Sequence, residues 1–137
     1  PIWVGLTCAP DALGTMCLQS DETDAVGAVH GNPSQPLVDA IAALNSAKTP
    51  LLNIMHTDVE HVNACLALVR EHWDGLVGVY AHSGGVVDGD WVFEGTITPA
   101  EYAAASHDWL DQNVQIVGGC CGIRPEHMAA VAELDFR

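Results

Sequence analysis

The stretch Gln115-Ile116-Val117-Gly118-Gly119-Cys120-Cys121-Gly122, followed by Pro125-Glu126-His127, decides how the rest of the chain is read. A short apolar strand runs into glycines, presents two adjacent cysteines, and restarts as a helix with proline in its first turn. Adjacent residues on a regular strand point to opposite faces. Both sulfurs therefore reach one point only if the chain leaves extended geometry there. Gly118, Gly119 and Gly122 allow this, since glycine tolerates positive φ and close backbone approach. Two thiolates converging at a strand end form a metal half-site, with zinc (Zn2+) the first candidate. A packed cysteine pair and a vicinal disulfide are the alternative readings.

Working outward, the chain alternates short apolar strands with helices. Residues 2–7 read as a buried strand, Cys8-Ala9-Pro10-Asp11 as a turn, and 11–24 as a loop carrying Cys17 and the acidic residues Asp21, Glu22 and Asp24. Residues 25–29 fit either element. Pro36 opens a helix with Leu37, Val38, Ile41 and Leu44 at helical spacing. Residues 51–56 form the next strand. Asp58 caps a helix that runs to about Trp73, with Val62, Cys65, Leu66 and Val69 on its apolar side. Residues 75–80 form a third strand, followed by a longer loop with Asp88, Asp90, Trp91 and Phe93. Thr98-Pro99-Ala100-Glu101 starts a helix that continues past Trp109, and the last helix runs from Pro125 to about Leu134.

Such alternation predicts an α/β fold with a parallel sheet built from right-handed βαβ units. Chemistry in these sheets gathers at the C-terminal ends of the strands. His56, His82-Ser83-Gly84 and Cys120-Cys121 all fall there. Four βα units are half of an eight-stranded barrel, and alone they expose two strand edges. The expectation is a homo-oligomer, or a missing half. The start at Pro1, directly before an apolar strand, suggests a segment of a longer protein.

Bulk numbers bound the rest. At 137 residues and 49% hydrophobic composition, the chain is one domain, 1–137, able to bury a core. Lys+Arg 4 against Asp+Glu 18 gives a net charge of −14, which repels phosphate backbones and argues against nucleic acid as a partner. No apolar run approaches the roughly 20 residues of a membrane helix. Five cysteines without a regular framework fit a reducing, cytoplasmic location. Cys65, among core positions, reads as packing.

The double-cysteine motif resembles the closing motif of the homocysteine S-methyltransferases, zinc-dependent TIM-barrel enzymes that include betaine, S-methylmethionine and cobalamin-linked methyltransferases. Tyr80-Ala81-His82-Ser83-Gly84 is similar to that family's Tyr-Pro-Asn-Ser-Gly after strand seven. Ile2-Trp3-Val4 through Ser20-Asp21-Glu22-Thr23 resembles strand five and its continuation. Asp88, Trp91 and Trp109 fall where the family places similar residues. The resemblance covers nearly the whole chain and implies a (βα)4 half of a TIM (β/α)8 barrel, strands five to eight.

One departure is large. The family's strand six ends in Gly-Ile-Asn-Cys-Thr, whose Cys is a zinc ligand, and the matching position here is His56. The resemblance then implies a His56, Cys120, Cys121 metal site with its fourth position open. Such a site is neutral, where three thiolates on Zn2+ would carry −1, and so it is the stronger Lewis acid. It further implies that Tyr80, His82, Ser83, Gly84, Gly118 and Gly119 bind substrate, although the two last glycines also suit a purely structural turn. His82 stands where the family has Asn. The implied reaction transfers a methyl group from a small-molecule donor to the thiolate of homocysteine or a similar thiol. Two other classes stay open: a zinc enzyme using metal-bound water, and a non-catalytic module with a structural metal or cysteine site.

Overall fold

The computed structural model describes residues 2–19, 35–88, 90–93 and 95–134. The acidic cluster Asp21, Glu22 and Asp24, residues 25–29, and the Ser20–Thr23 stretch lie outside the described residues.

Strand β1 (Trp3–Leu6) leads into a short antiparallel sheet of β2 (Cys8–Pro10), β3 (Met16–Leu18) and β4 (Gln35–Pro36). Then follow α1 (Leu37–Ala47), β5 (Leu51–Asp58), α2 (Val59–His72) and β6 (Leu76–His82). A hairpin of β7 (Gly85–Val87) and β8 (Asp90–Val92) precedes α3 (Pro99–Asp111), β9 (Ile116–Val117) and α4 (Pro125–Ala132). The expected alternation is present: β1, β5, β6 and β9 form one sheet in that order, and each of its three pairings is parallel.

Residues 8–18 correct the expected turn and loop. Cys8–Pro10 and Met16–Leu18 are paired strands, and the turn lies between them at Asp11. The Asp11 carboxylate accepts the N–H groups of Leu13 and Thr15, each at 2.8 Å, which closes the turn without further help from sequence pattern. The loop after β6 likewise contains the β7–β8 hairpin.

Helix starts follow their side chains. Asp58 accepts from Glu60 N–H at 3.2 Å at the start of α2. Thr98 and Glu101 form a reciprocal capping box at α3, with Pro99 next in the chain. α1 begins at Leu37, one residue after Pro36, without a side-chain cap.

The outer sheet face packs Leu52, Ile54, Val77 and Val79 beneath Leu37 and Ile41 of α1, Val62, Cys65, Leu66 and Val69 of α2, Tyr102 and Trp109 of α3, and Val131 of α4. Trp109 is thus a core residue, meeting Tyr102 edge to face at 5.6 Å. The inner face is different. Gly5, Asn53, Gly78 and Ile116 share one register row across all four strands. Trp3 and Leu76, in the row below, are 61% and 52% exposed. No helix among the described residues is long and apolar enough to cross a membrane.

Candidate metal centre

At the C-terminal end of β5 the ladder with β6 shifts register between Met55 and Asp58. His56 sits in that irregularity with φ +46°, the left-handed region that non-glycine residues rarely occupy. Its neighbour fixes the distortion. The buried Thr57 hydroxyl accepts the main-chain N–H of Cys8 at 3.0 Å and donates to the Met55 carbonyl at 3.0 Å. The side chain of His56 is thereby swung towards the end of β9.

The cysteines reach the same place from the other side. Gly118 N–H donates to Val79 O at 2.9 Å and Cys120 N–H to Ala81 O at 3.0 Å, so pairing with β6 continues up to the first cysteine. The chain then turns: Ile123 N–H donates to Cys120 O at 3.1 Å, and Gly122 takes φ +76°. Ser83 N–H donates to Cys121 O at 3.0 Å, tying this turn to the end of β6. A Cβ at Gly122 would land on the Ser83 carbonyl, so only glycine fits.

The outcome is a triangle of donors. His56 Nδ1 lies 3.4 Å from Cys120 Sγ and 3.7 Å from Cys121 Sγ, and the sulfurs are 3.8 Å apart. Tetrahedral zinc with Zn–S of about 2.3 Å and Zn–N of about 2.0–2.1 Å requires S···S of about 3.8 Å and S···N of about 3.6 Å. The donor set therefore matches that metal in chemistry and in size. These three are the group of His, Cys, Asp or Glu side chains among the described residues whose ligand atoms converge within 4.8 Å. All five cysteines are free thiols, and 3.8 Å is far beyond a disulfide bond, so the vicinal disulfide is absent here.

The other expected site residues divide. His82 lies beside the triangle: its ring centroid is 4.7 Å from that of His56, and its Nε2 is 3.9 Å from the Asp58 carboxylate. Tyr80 is half-buried on the inner sheet face, against Gly118, where a Cβ would meet the tyrosine ring at 2.7 Å. Ser83 is engaged structurally, its Oγ accepting from Ile97 N–H at 2.9 Å. Gly84 has φ +140°, and a Cβ there would meet Phe93 at 2.9 Å. At Gly119 a Cβ would run into Ile123. The glycines of the motif thus serve close packing and the turn.

Sequence reasoning passed over three supports of this centre. Thr57 holds the bulge, as above. Tyr102, fully buried, donates its hydroxyl to Gly118 O at 2.6 Å; burial pushes its pKa well up, and the nearby Cys120 adds to this. His127 Nδ1 accepts from Arg124 N–H at 3.1 Å, which leaves the proton on Nε2 to donate to Ile97 O at 2.8 Å. It clamps the loop after the cysteines to the loop before α3. Its place two residues after Pro125 was the available signal.

The profile of the homocysteine S-methyltransferase family matches residues 1–134. A curated relative, Homocysteine S-methyltransferase YbgG of Bacillus subtilis (strain 168), is 23% identical over 106 residues, which cover 76% of this chain and 34% of the relative. The chain spans about a third of the length of that relative. With a family match that runs from the first residue to just past the end of α4, the chain belongs to the homocysteine S-methyltransferase family.

Proposed function

We propose that the chain is the zinc-dependent C-terminal half, strands five to eight, of a (β/α)8 barrel S-methyltransferase that moves a methyl group onto the thiolate of homocysteine or a similar thiol. The observation that carries this reading is the triangle of His56 Nδ1 and the Cys120 and Cys121 sulfurs at the C-terminal ends of β5 and β9. His56, Cys120 and Cys121 would hold the metal, a three-residue donor set that would leave room for a substrate thiol. Zinc bound there supplies Lewis acidity that keeps a thiol deprotonated at neutral pH.

The chain's own groups do the rest. With Nδ1 turned towards the two sulfurs, His56 would offer that nitrogen to the metal and carry its proton on Nε2. Thr57 holds that ring in its left-handed pose, and Tyr102 and His127 hold the cysteine turn. Tyr80 and His82 wall the site on the β6 side, where they orient the thiol substrate. A small-molecule methyl donor then approaches in line with the thiolate, so that the new S–C bond forms as the donor–methyl bond breaks. The donor leaves with the bonding electrons.

The half-barrel reading rests on the sheet. Four parallel strands are half the eight a barrel needs, and among the described residues neither β1 nor β9 has a second parallel neighbour. Trp3 and Leu76 at the sheet's inner face are 61% and 52% exposed, as expected of a face that another four strands or a second copy covers. A reducing cytoplasm would keep the thiols free.

The deciding experiment is zinc content per chain on protein purified without chelator, with a free-thiol count. About one zinc per chain, lost when thiols are blocked and perturbed by added homocysteine, supports the reading. No zinc with all five thiols titratable overturns it and leaves a non-catalytic module. Light scattering adds a second check: a well-behaved monomer of the isolated chain sinks the need for a covering half.

A further inference from the structure

At the opposite end of the sheet from the metal centre, the end of α2, the start of β6 and the end of α3 enclose a cavity of about 310 Å³. β6 has a strand on each side, β5 and β9, so strands added at the sheet's edges would not fill this place. The wall is apolar and buried: Leu66, Val69 and Trp73 from α2 and its C-cap, and Val77 from β6. Two contacts hold the indole in that wall. Trp73 Nε1–H donates to Leu76 O at 3.1 Å, and Gly75 lies so close that a Cβ there would meet the ring at 2.7 Å. Any side chain at position 75 would therefore push the ring out of place.

The rim carries one charge of each sign. Arg70 is anchored: its Nε–H donates to Gln112 O at 3.0 Å, and its Nη2 donates to the same carbonyl at 2.8 Å and to Gln112 Oε1 at 2.9 Å. A guanidinium has five N–H donors, and the two on Nη1 are not used in these bonds. Asp74, next after the α2 C-cap, lines the same cavity. Its carboxylate makes no ion pair or hydrogen bond among the described residues. α2 also ends here, and a helix C-terminus favours positive charge. A simple anion would face Asp74, and a simple cation would face Arg70. A small molecule with both charges beside an apolar chain satisfies rim and wall together. The volume is at the lower limit of small-molecule pockets, so that molecule is small. We propose that this cavity binds a free α-amino acid with an apolar side chain. Its carboxylate meets Arg70, its ammonium meets Asp74, and its side chain packs on Val69 and Trp73. The site needs no metal and stands apart from the proposed methyl transfer.

The test follows amide and indole NMR signals of the full chain during titration with L-leucine. Saturable shifts are expected at the Trp73 indole N–H, Gly75 and Gln112, while the Gly118–Gly122 turn stays unmoved. Isocaproate lacks the ammonium and L-leucinamide lacks the carboxylate, so each should bind about 10-fold more weakly than L-leucine. Asp74→Asn, an exposed change that breaks no bond described above, should weaken L-leucine by about 10-fold and leave isocaproate unchanged. Arg70→Gln should weaken both; because Arg70 also holds Gln112, Asp74→Asn is the deciding variant. Absence of saturable shifts at millimolar L-leucine would overturn the site. Shifts confined to the cysteine turn would place the amino acid at the metal centre and overturn it equally. L-leucine binding unchanged by Asp74→Asn, or equalled by either analogue, would overturn the two-charge recognition.

Discussion

His56 Nδ1 and Cys120 Sγ lie 3.4 Å apart, although 64 residues separate them in the chain. Neither element brings its donor there by regular geometry. β5 is bulged and left-handed at His56, and β9 ends in a glycine turn at Cys120. A strained left-handed residue and a glycine turn meet at one point, and strain of the kind at His56 is the usual sign of a functional constraint.

That reading separates metal binding from fold at His56. Replacing His56 with Gly removes a ligand and also relieves a left-handed backbone that costs other residues about 1–2 kcal/mol. After the entropy of glycine is set against it, the apo fold is expected to be as stable as wild type, or more so by up to about 1 kcal/mol. Zinc affinity should fall by more than the roughly 10–100-fold typical of outer-shell losses. Chemical denaturation and chelator competition on one preparation check both halves. Undiminished affinity would move the third ligand elsewhere.

Gly122 is the hinge of the cysteine turn. An alanine there carries φ +76° and drives its Cβ onto the Ser83 carbonyl, at an expected cost of about 3 kcal/mol. Because Ser83 N–H holds Cys121 O at 3.0 Å, the strain should also displace Cys121 and cut zinc content. By contrast, Gly14, with φ +83° and open space for a Cβ, should lose stability to alanine and keep its zinc. Equal zinc loss in both variants would mean a global effect.

The strand–helix alternation was legible because each parallel strand is an apolar run bounded by Gly, Pro or a cap, and Asp58 and Thr98 cap where sequence places them. The cysteine pair was legible as a metal half-site because three glycines surround it. His56 as its partner came through family resemblance; no local pattern marks a residue destined for a bulge. The β2–β3 hairpin was missed since its strands have three residues each and include Pro10, too short for an alternating pattern. Ser83 and the motif glycines have packing roles beside the substrate contacts that the family resemblance implies. Their hydrogen bonds and close approaches are tertiary, visible only once α3 and α4 are packed.

Thr57 tests how far support of His56 extends beyond the ligands. Thr57→Val keeps shape but leaves the Cys8 N–H unpaired next to the core, a cost of about 1–3 kcal/mol. Zinc affinity should drop about 10–100-fold, and Thr57→Ser should restore most of it. A stability loss with unchanged zinc affinity would assign Thr57 to the fold alone.

Tyr102 supplies a pH signature. Its hydroxyl donates to Gly118 O at 2.6 Å, and burial raises its pKa from an ordinary value of 10.0. Above that ordinary value the unfolded chain loses the phenolic proton while the folded chain keeps it, so the unfolded state binds fewer protons. Stability is then fully present below pH 10.0 and falls as pH rises beyond it towards the raised folded value. Tyr102→Phe removes the bond, costs about 1–2 kcal/mol at neutral pH, and should flatten that alkaline fall. It should also let the Gly118–Cys121 turn relax, with weaker zinc retention. Urea melts of both proteins across the alkaline range check the first point; parallel curves throughout would show that Tyr102 does not carry the alkaline transition.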